Sequence, residues 1–259
     1  AALHIDGELA EIADSVNKAS RLLGRQNEAR ANWISGVSHD IRTPLSMIMG
    51  YAGRIAGDET VSETVREQAR IVERQGIKIK ELVQDLNLVS QLEYEMQPLH
   101  REPIRLSRLL RSYAAELLNS GISDAYTIEI DIEPEAENAL LDGDARLISR
   151  AIGNLVQNSI RHNPQGCSIR LSLKNTGETL ILTVADDGAG LTPEKLRGLK
   201  EKPHYMESAD ERLDLRHGLG LLLVRRIAQA HQGTFCIESE PGKGCKSKII
   251  FGKNSSVQE

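Results

Sequence analysis

Aromatic side chains are scarce in this sequence: two phenylalanines, five tyrosines and one tryptophan make up 3% of 259 residues. A single thick globule is therefore disfavoured. The 40% hydrophobic content still supplies a core, so a helical rod joined to a globular domain is expected. Cysteine is scarcer still, and Cys167, Cys236 and Cys245 have neither the short paired spacing of a zinc site nor the even count of a secreted disulfide framework. That usage fits a reducing compartment. No apolar run approaches the roughly 20 residues needed to cross a bilayer, and no signal-peptide pattern opens the chain. Charge of one sign is also lacking: a net −5 and a pI near 5.9 give no general attraction for nucleic acid. The phosphate-binding string G-x-x-x-x-G-K-[ST] does not occur. The opening Ala1-Ala2-Leu3-His4-Ile5 has no methionine and runs into a helical pattern, so the chain reads as a fragment whose membrane segments would lie upstream.

What is present begins with a seam. Ile5, Leu9, Ile12, Val16, Ala19 and Leu23 alternate steps of four and three, the spacing of a coiled coil. After a polar stretch the pattern resumes at Trp33, Val37, Ile41, Ile48 and Ala52. A second long helix is expected from about Ser62 to Glu95, striped by Val65, Ala69, Val72, Ile79, Val83, Leu86 and Val89, with a turn at Gly53, Gly57, Asp58 and Glu59. Two singly striped helices bury little alone, whereas two such hairpins make a four-helix bundle, which predicts a homodimer. Pro98 and Pro103 mark a change of character. Beyond them the patterns predict a helix near Leu106 to Asn119, a strand near Tyr126 to Ile132 and a helix near Asp142 to His162. A hairpin follows, with Ile169, Leu171 and Leu173 facing Leu180, Leu182 and Val184. A helix near Leu219 to His231 and a last hairpin from Phe235 to Phe251 complete an α+β sandwich with mostly antiparallel strands.

Three constellations could carry chemistry. In Trp33-Ile34-Ser35-Gly36-Val37-Ser38-His39-Asp40-Ile41-Arg42-Thr43-Pro44-Leu45, His39 stands about 200° from Val37 and from Ile41 on a helix, so it points away from the seam. A neutral imidazole is a competent nucleophile, and Asp40 can orient the ring or take its proton. Thr43 lies one turn further on the same face, and Pro44 should bend the rod. In Asn154-Leu155-Val156-Gln157-Asn158-Ser159-Ile160-Arg161-His162, helical spacing puts Asn154, Asn158 and Arg161 on one face, where amide oxygens suit Mg²⁺ and a guanidinium suits phosphate. In Val184-Ala185-Asp186-Asp187-Gly188-Ala189-Gly190-Leu191 a strand ends in a carboxylate and a glycine loop, which would let backbone approach a ligand. His217-Gly218-Leu219-Gly220-Leu221 then opens a helix whose free N–H groups would favour phosphate. Each has a plainer reading as a solvated histidine, the wet side of a helix, or a turn. The pair Gly242 and Gly244 reads as a turn.

Together these strings resemble the sensor histidine kinases of two-component systems. The resemblance runs from about Trp33 to Phe251 and implies three units. Residues 1–30 would be a signalling coiled coil, similar to the second helix of a HAMP relay though a plain coiled coil explains it nearly as well. Residues 31–99 would be a dimerisation and phosphotransfer domain forming an antiparallel helical hairpin, and residues 100–259 an α/β-sandwich ATP-binding domain of the gyrase, Hsp90 and histidine kinase type. It implies that His39 accepts the phosphoryl group of ATP, with Asp40 as acid/base partner and Thr43 acting in dephosphorylation of a response regulator. Asn154, Asn158, Arg161, His162, Asp186, Gly188, Gly190, Gly218 and Gly220 would hold the nucleotide, with Asn158 on Mg²⁺, and the segment between Leu191 and His217 would be a lid. The implied setting is the cytoplasmic portion of a membrane-anchored bacterial sensor. Arg161-His162 stands where the family commonly has Lys-Tyr, and Lys202-Pro203-His204-Tyr205 replaces lid phenylalanines. A nucleotide-free scaffold and an ATP-driven clamp are the rivals. The clamp lacks its base, since Gln157 and not a glutamate precedes Asn158.

Overall fold

A computed structural model describes residues 10–94, 98–201 and 215–252. The seam positions Ile5 and Leu9 and the lid residues Lys202, Pro203, His204 and Tyr205 lie outside the described residues. The chain divides into two compact units, Ala1–Gln97 and Pro98–Glu259.

The first unit is a helical hairpin. Helix α1, Ala10–Ala56, runs 47 residues without a break, about 70 Å at the usual rise, so the polar stretch after Leu23 does not interrupt it and Pro44 lies within it. Gly53, expected in the turn, is inside the helix; the turn proper is Gly57 to Ser62. There Asp58 accepts from the Thr60 amide and hydroxyl at 2.8 and 2.6 Å, bonds that hold its carboxyl below the ordinary value. Ser62 then caps helix α2, Glu63–Glu93, through the Val65 amide. The two helices meet on small residues. Ala52, Ala69 and Gly76 are buried, and a Cβ at Gly76 would stand 2.5 Å from Met49 Cγ. Most of the predicted stripe stays uncovered by the hairpin itself: Val37, Ile41, Ile48, Val65, Val72, Ile79 and Leu86 are all exposed.

The second unit is a two-layer sandwich. Helix α3, Leu106–Asn119, and helix α4, Ala145–His162, are joined on one side of the sheet by helix α6, Leu215–Ala230. A short helix α5, Pro193–Glu201, occupies the start of the expected lid. The main sheet runs in the order β2 (Tyr126–Ile132), β4 (Cys167–Asn175), β5 (Thr179–Asp186), β7 (Cys245–Gly252), β6 (Thr234–Ser239). All its pairings are antiparallel except β2 with β4, which is parallel because α4 carries the chain back across the sheet. A two-stranded sheet of β1 (Glu102–Arg105) and β3 (Leu140–Gly143) was not legible in the pattern.

Alternation along β4 sets the layers. Ile169, Leu171 and Leu173 are fully buried, while Arg170 and Lys174 point to the other face and pair with Glu129 and Glu133 of the neighbouring segment. Leu182, Ile249 and Phe251 extend the apolar face, against which Leu110, Ile148, Ile152, Leu155, Leu223 and Ile227 close the core.

Candidate functional site

In the helical unit, His39 follows from the helix geometry anticipated above. Its side chain is 75% exposed, and Nδ1 lies 3.4 Å from Asp40 Oδ1. An ionised carboxylate only accepts, so this contact puts the ring proton on Nδ1 and leaves the lone pair on Nε2. The ring nitrogen remote from Asp40 is then the one able to act as a nucleophile. Thr43 is exposed one turn below, while Ser38, beside His39, is buried and donates to the Ile34 carbonyl at 2.7 Å.

In the sandwich unit, α4 brings most of the remaining candidates together. Asp144 begins it, its Oδ1 accepting from the Arg146 and Leu147 amides. About three and four turns on, Asn154 and Asn158 face the second turn of α6. Asn154 Nδ2 reaches the Gly220 carbonyl at 3.5 Å, and a Cβ at Gly220 would stand 3.9 Å from Asn158 Oδ1. Arg161 and His162 are exposed in the last turn. Gly218 and Gly220 lie inside α6, which starts at Leu215, four residues ahead of the expected start near Leu219, so they are not its first residues.

Asp186 ends β5 and is held from three directions. Ser159 Oγ donates to its Oδ2 at 2.8 Å; Asn163 Nδ2 and the Gly188 amide donate to its Oδ1 at 3.3 and 3.1 Å. Its charge reaches the thiols on either side. Burial first, and then Asp186, push Cys245 up to about 11 and raise Cys167, so both stay protonated near neutrality.

The glycines here are closely surrounded. A Cβ on Gly188 would collide with the Asn163 amide. Gly190, at φ +66°, and Gly244, at φ +75°, have no room because the Glu240 and Asp186 carbonyls lie against them. The Ala189 carbonyl accepts from Gly242, and Ser239 Oγ bridges Leu191 to Gly244, so the loop after β5 is stitched to the β6–β7 turn. The sequence suggested that this glycine freedom lets a ligand approach; the structure shows that it also admits neighbouring backbone and Asn163. Ser159 and Asn163 were missed. Their one signal was polarity at positions four apart on the α4 face that runs toward Asp186.

Comparison with known families locates both units. Residues 29–95 match the His Kinase A (phospho-acceptor) domain, and residues 143–254 match the histidine kinase-, DNA gyrase B- and HSP90-like ATPase. The chain belongs to the sensor histidine kinases of two-component systems. Among curated sensor kinases it is 28% identical over 254 residues to the sensor histidine kinase YvrG of Bacillus subtilis, covering 95% of this chain and 43% of that protein. It is 31% identical over 220 residues to the histidine protein kinase DivJ of Caulobacter vibrioides, covering 83% of this chain and 36% of that one. The chain thus spans about half or less of these kinases' length. At the level of fold, it superposes on ShkA, crystallised full-length with AMPPNP, with a TM-score of 0.67 at 20% identity, over 87% of this chain and 47% of that one. For the Acinetobacter baumannii kinase AdeS the TM-score is 0.58 at 20% identity, over 84% of this chain and 98% of that one.

Proposed function

We propose that this kinase chain phosphorylates His39 from ATP and passes the phosphoryl group to an aspartate of a response regulator. The observation that carries the proposal is the exposed His39 ring, tethered through Nδ1 to Asp40 within the matched phosphoacceptor segment. Nε2 attacks the γ-phosphorus in line; a P–N bond forms as the bond to the bridging oxygen breaks, and ADP leaves. The Asp40 carboxylate, drawing on the Nδ1 proton, offsets the positive charge that grows on the ring. The phosphoimidazole then transfers its group to the regulator's carboxylate. Thr43, exposed one turn below, suits holding the water that removes the phosphoryl group from the regulator.

Nucleotide binding is assigned to Asn154, Asn158, Arg161, His162, Asp186, Gly188, Gly190, Gly218 and Gly220. Asp186 accepts from the exocyclic amine of adenine, and the amides of α4 face the phosphates with Arg161 as a cation beside them. Asn158, whose side-chain amide oxygen suits a hard divalent cation, would hold Mg²⁺ beside the nucleotide's phosphates. When bound, Mg²⁺ neutralises phosphate charge. The working unit is a homodimer, because the hairpin leaves its own stripe uncovered. No helix among the described residues is long and apolar enough to cross a membrane; we assign the chain to the cytoplasmic side of a membrane-anchored sensor, where ATP is available.

Incubation with γ-labelled ATP tests the reading. Acid-labile label should appear on the wild type and be lost from His39→Ala and from Asn158→Ala. Undiminished labelling of His39→Ala would overturn the assignment.

A further inference from the structure

Asp186 is the carboxylate on which adenine recognition rests in the reading above, and the structure shows how few ways it can be approached. An ionised carboxylate offers about four acceptor positions. Among the described residues three are taken: by Asn163 Nδ2 and the Gly188 amide on Oδ1, and by Ser159 Oγ on Oδ2. No other described residue takes the second position on Oδ2, and Asp186 keeps part of its surface open.

The two side chains responsible are themselves buried, Ser159 to 7% exposure and Asn163 to 8%. Asn163 also donates to the Ser159 carbonyl at 2.9 Å and accepts from the Ala189 amide at 3.0 Å, so its amide is fixed in one orientation. A buried hydroxyl costs free energy unless it is bonded, and the Ser159 hydroxyl has its bond to Asp186. Helix packing alone would be served by an apolar residue of the same size.

We infer that Ser159 and Asn163 are positioning residues of the nucleotide site. They lock the Asp186 carboxylate so that this second Oδ2 position meets one N–H donor, which selects a 6-amino purine against a 6-oxo purine. This rests on the proposed nucleotide-binding reading. A 6-oxo base would set an acceptor against a carboxylate that cannot turn away. Without the Ser159 hydroxyl the carboxylate can rotate and admit a bridging water, and discrimination falls.

The test is steady-state autophosphorylation of the whole chain with ATP, with inosine triphosphate and with purine riboside triphosphate, which lacks the 6-amine. Ser159→Ala should raise KM for ATP roughly tenfold, with kcat within about twofold, and should lower the ATP-over-inosine preference about fivefold. Ser159→Thr, which keeps the hydroxyl, should restore both. Deleting the ligand's amine should cost less in Ser159→Ala than in the wild type, a coupling that general destabilisation cannot produce. Ser159→Cys, a weak donor of similar shape, carries the same comparison if the alanine variant unfolds. An unchanged KM and preference in Ser159→Ala, or equal losses with ATP and the amine-free analogue, overturns the inference and leaves the kinase reading intact. Absence of ATP binding by the wild type overturns both.

Discussion

His231, just beyond α6, is held at both of its ring nitrogens. It is 4% exposed; Nδ1 lies 2.7 Å from the Ile227 carbonyl and Nε2 accepts from the Asp144 amide at 2.9 Å. Those two partners fix the neutral Nδ1–H tautomer and join the end of α6 to the start of α4. A second proton on Nε2 would meet an N–H. Burial lowers the pKa below the ordinary histidine value; the Ile227 bond opposes this, Arg101 reinforces it, and Asp144 and Asp142 oppose it, leaving a net depression. The sign of the linkage follows. The unfolded chain binds a proton at about 6.5, where the folded ring does not, so this contribution to stability is complete above that pH and is lost as pH falls through the depressed folded value. Thermal melts should therefore show the sandwich unit losing stability between pH 7 and pH 5, and His231→Gln, which does not titrate, should flatten that drop. A residue of this kind is opaque in sequence, because His231 carries no pattern beyond ending a helix. Ser159 and Asn163 were opaque for a related reason. Polar residues on a helix read as its wet side until β5 delivers a carboxylate to them. His39 was legible because a two-residue step on a helix turns the ring away from Val37 and Ile41 whatever those two later pack against.

At the scale of elements, long periodic segments were readable and short ones were not. Strand β2 and helix α3 have the predicted bounds, since their alternation and stripe are set by one buried face. Strands β1 and β3 have four residues each and include Pro103 and Gly143, too short for a period of two to emerge. Nor does periodicity encode a partner, so the parallel pairing of β2 with β4 could come only from the fold. The helical hairpin shows the same limit. Its stripe was visible, but the close approach depends on Gly76, which reads as a weak helix position. Gly76→Val puts methyl groups where Met49 Cγ already lies and should cost about 1–3 kcal/mol of hairpin stability by overpacking. In the double variant Met49→Ala, Gly76→Val the large and small residues exchange sides. Urea denaturation followed by circular dichroism should show much of the loss recovered there; purely additive losses would mean that Gly76 serves something other than this contact.

At the scale of the whole molecule, the two units differ in how completely each buries its own apolar surface. The sandwich closes a core around residues such as Leu171, Ile152 and Phe251, all fully buried. The hairpin leaves Val37, Ile41, Ile48, Val72, Ile79 and Leu86 exposed, large apolar side chains of the kind kept for a partner. A second hairpin is the natural cover, since pairing two stripes buries both and makes a four-helix bundle. The surface His39 face stays outside such a seam by the same two-residue step that made it legible. Sedimentation equilibrium should then give twice the 28.6 kDa chain mass for the wild type. Ile48→Glu together with Val72→Glu should give the single chain mass, because each charge would have to be buried without a counter-charge at the seam. The sandwich unit does not depend on that seam for its core, so nucleotide affinity should survive in the monomeric variant while His39 labelling falls, separating assembly from binding. If the doubly charged variant remained dimeric, the stripe would not be the interface and the covering surface would have to be sought elsewhere on α1 and α2.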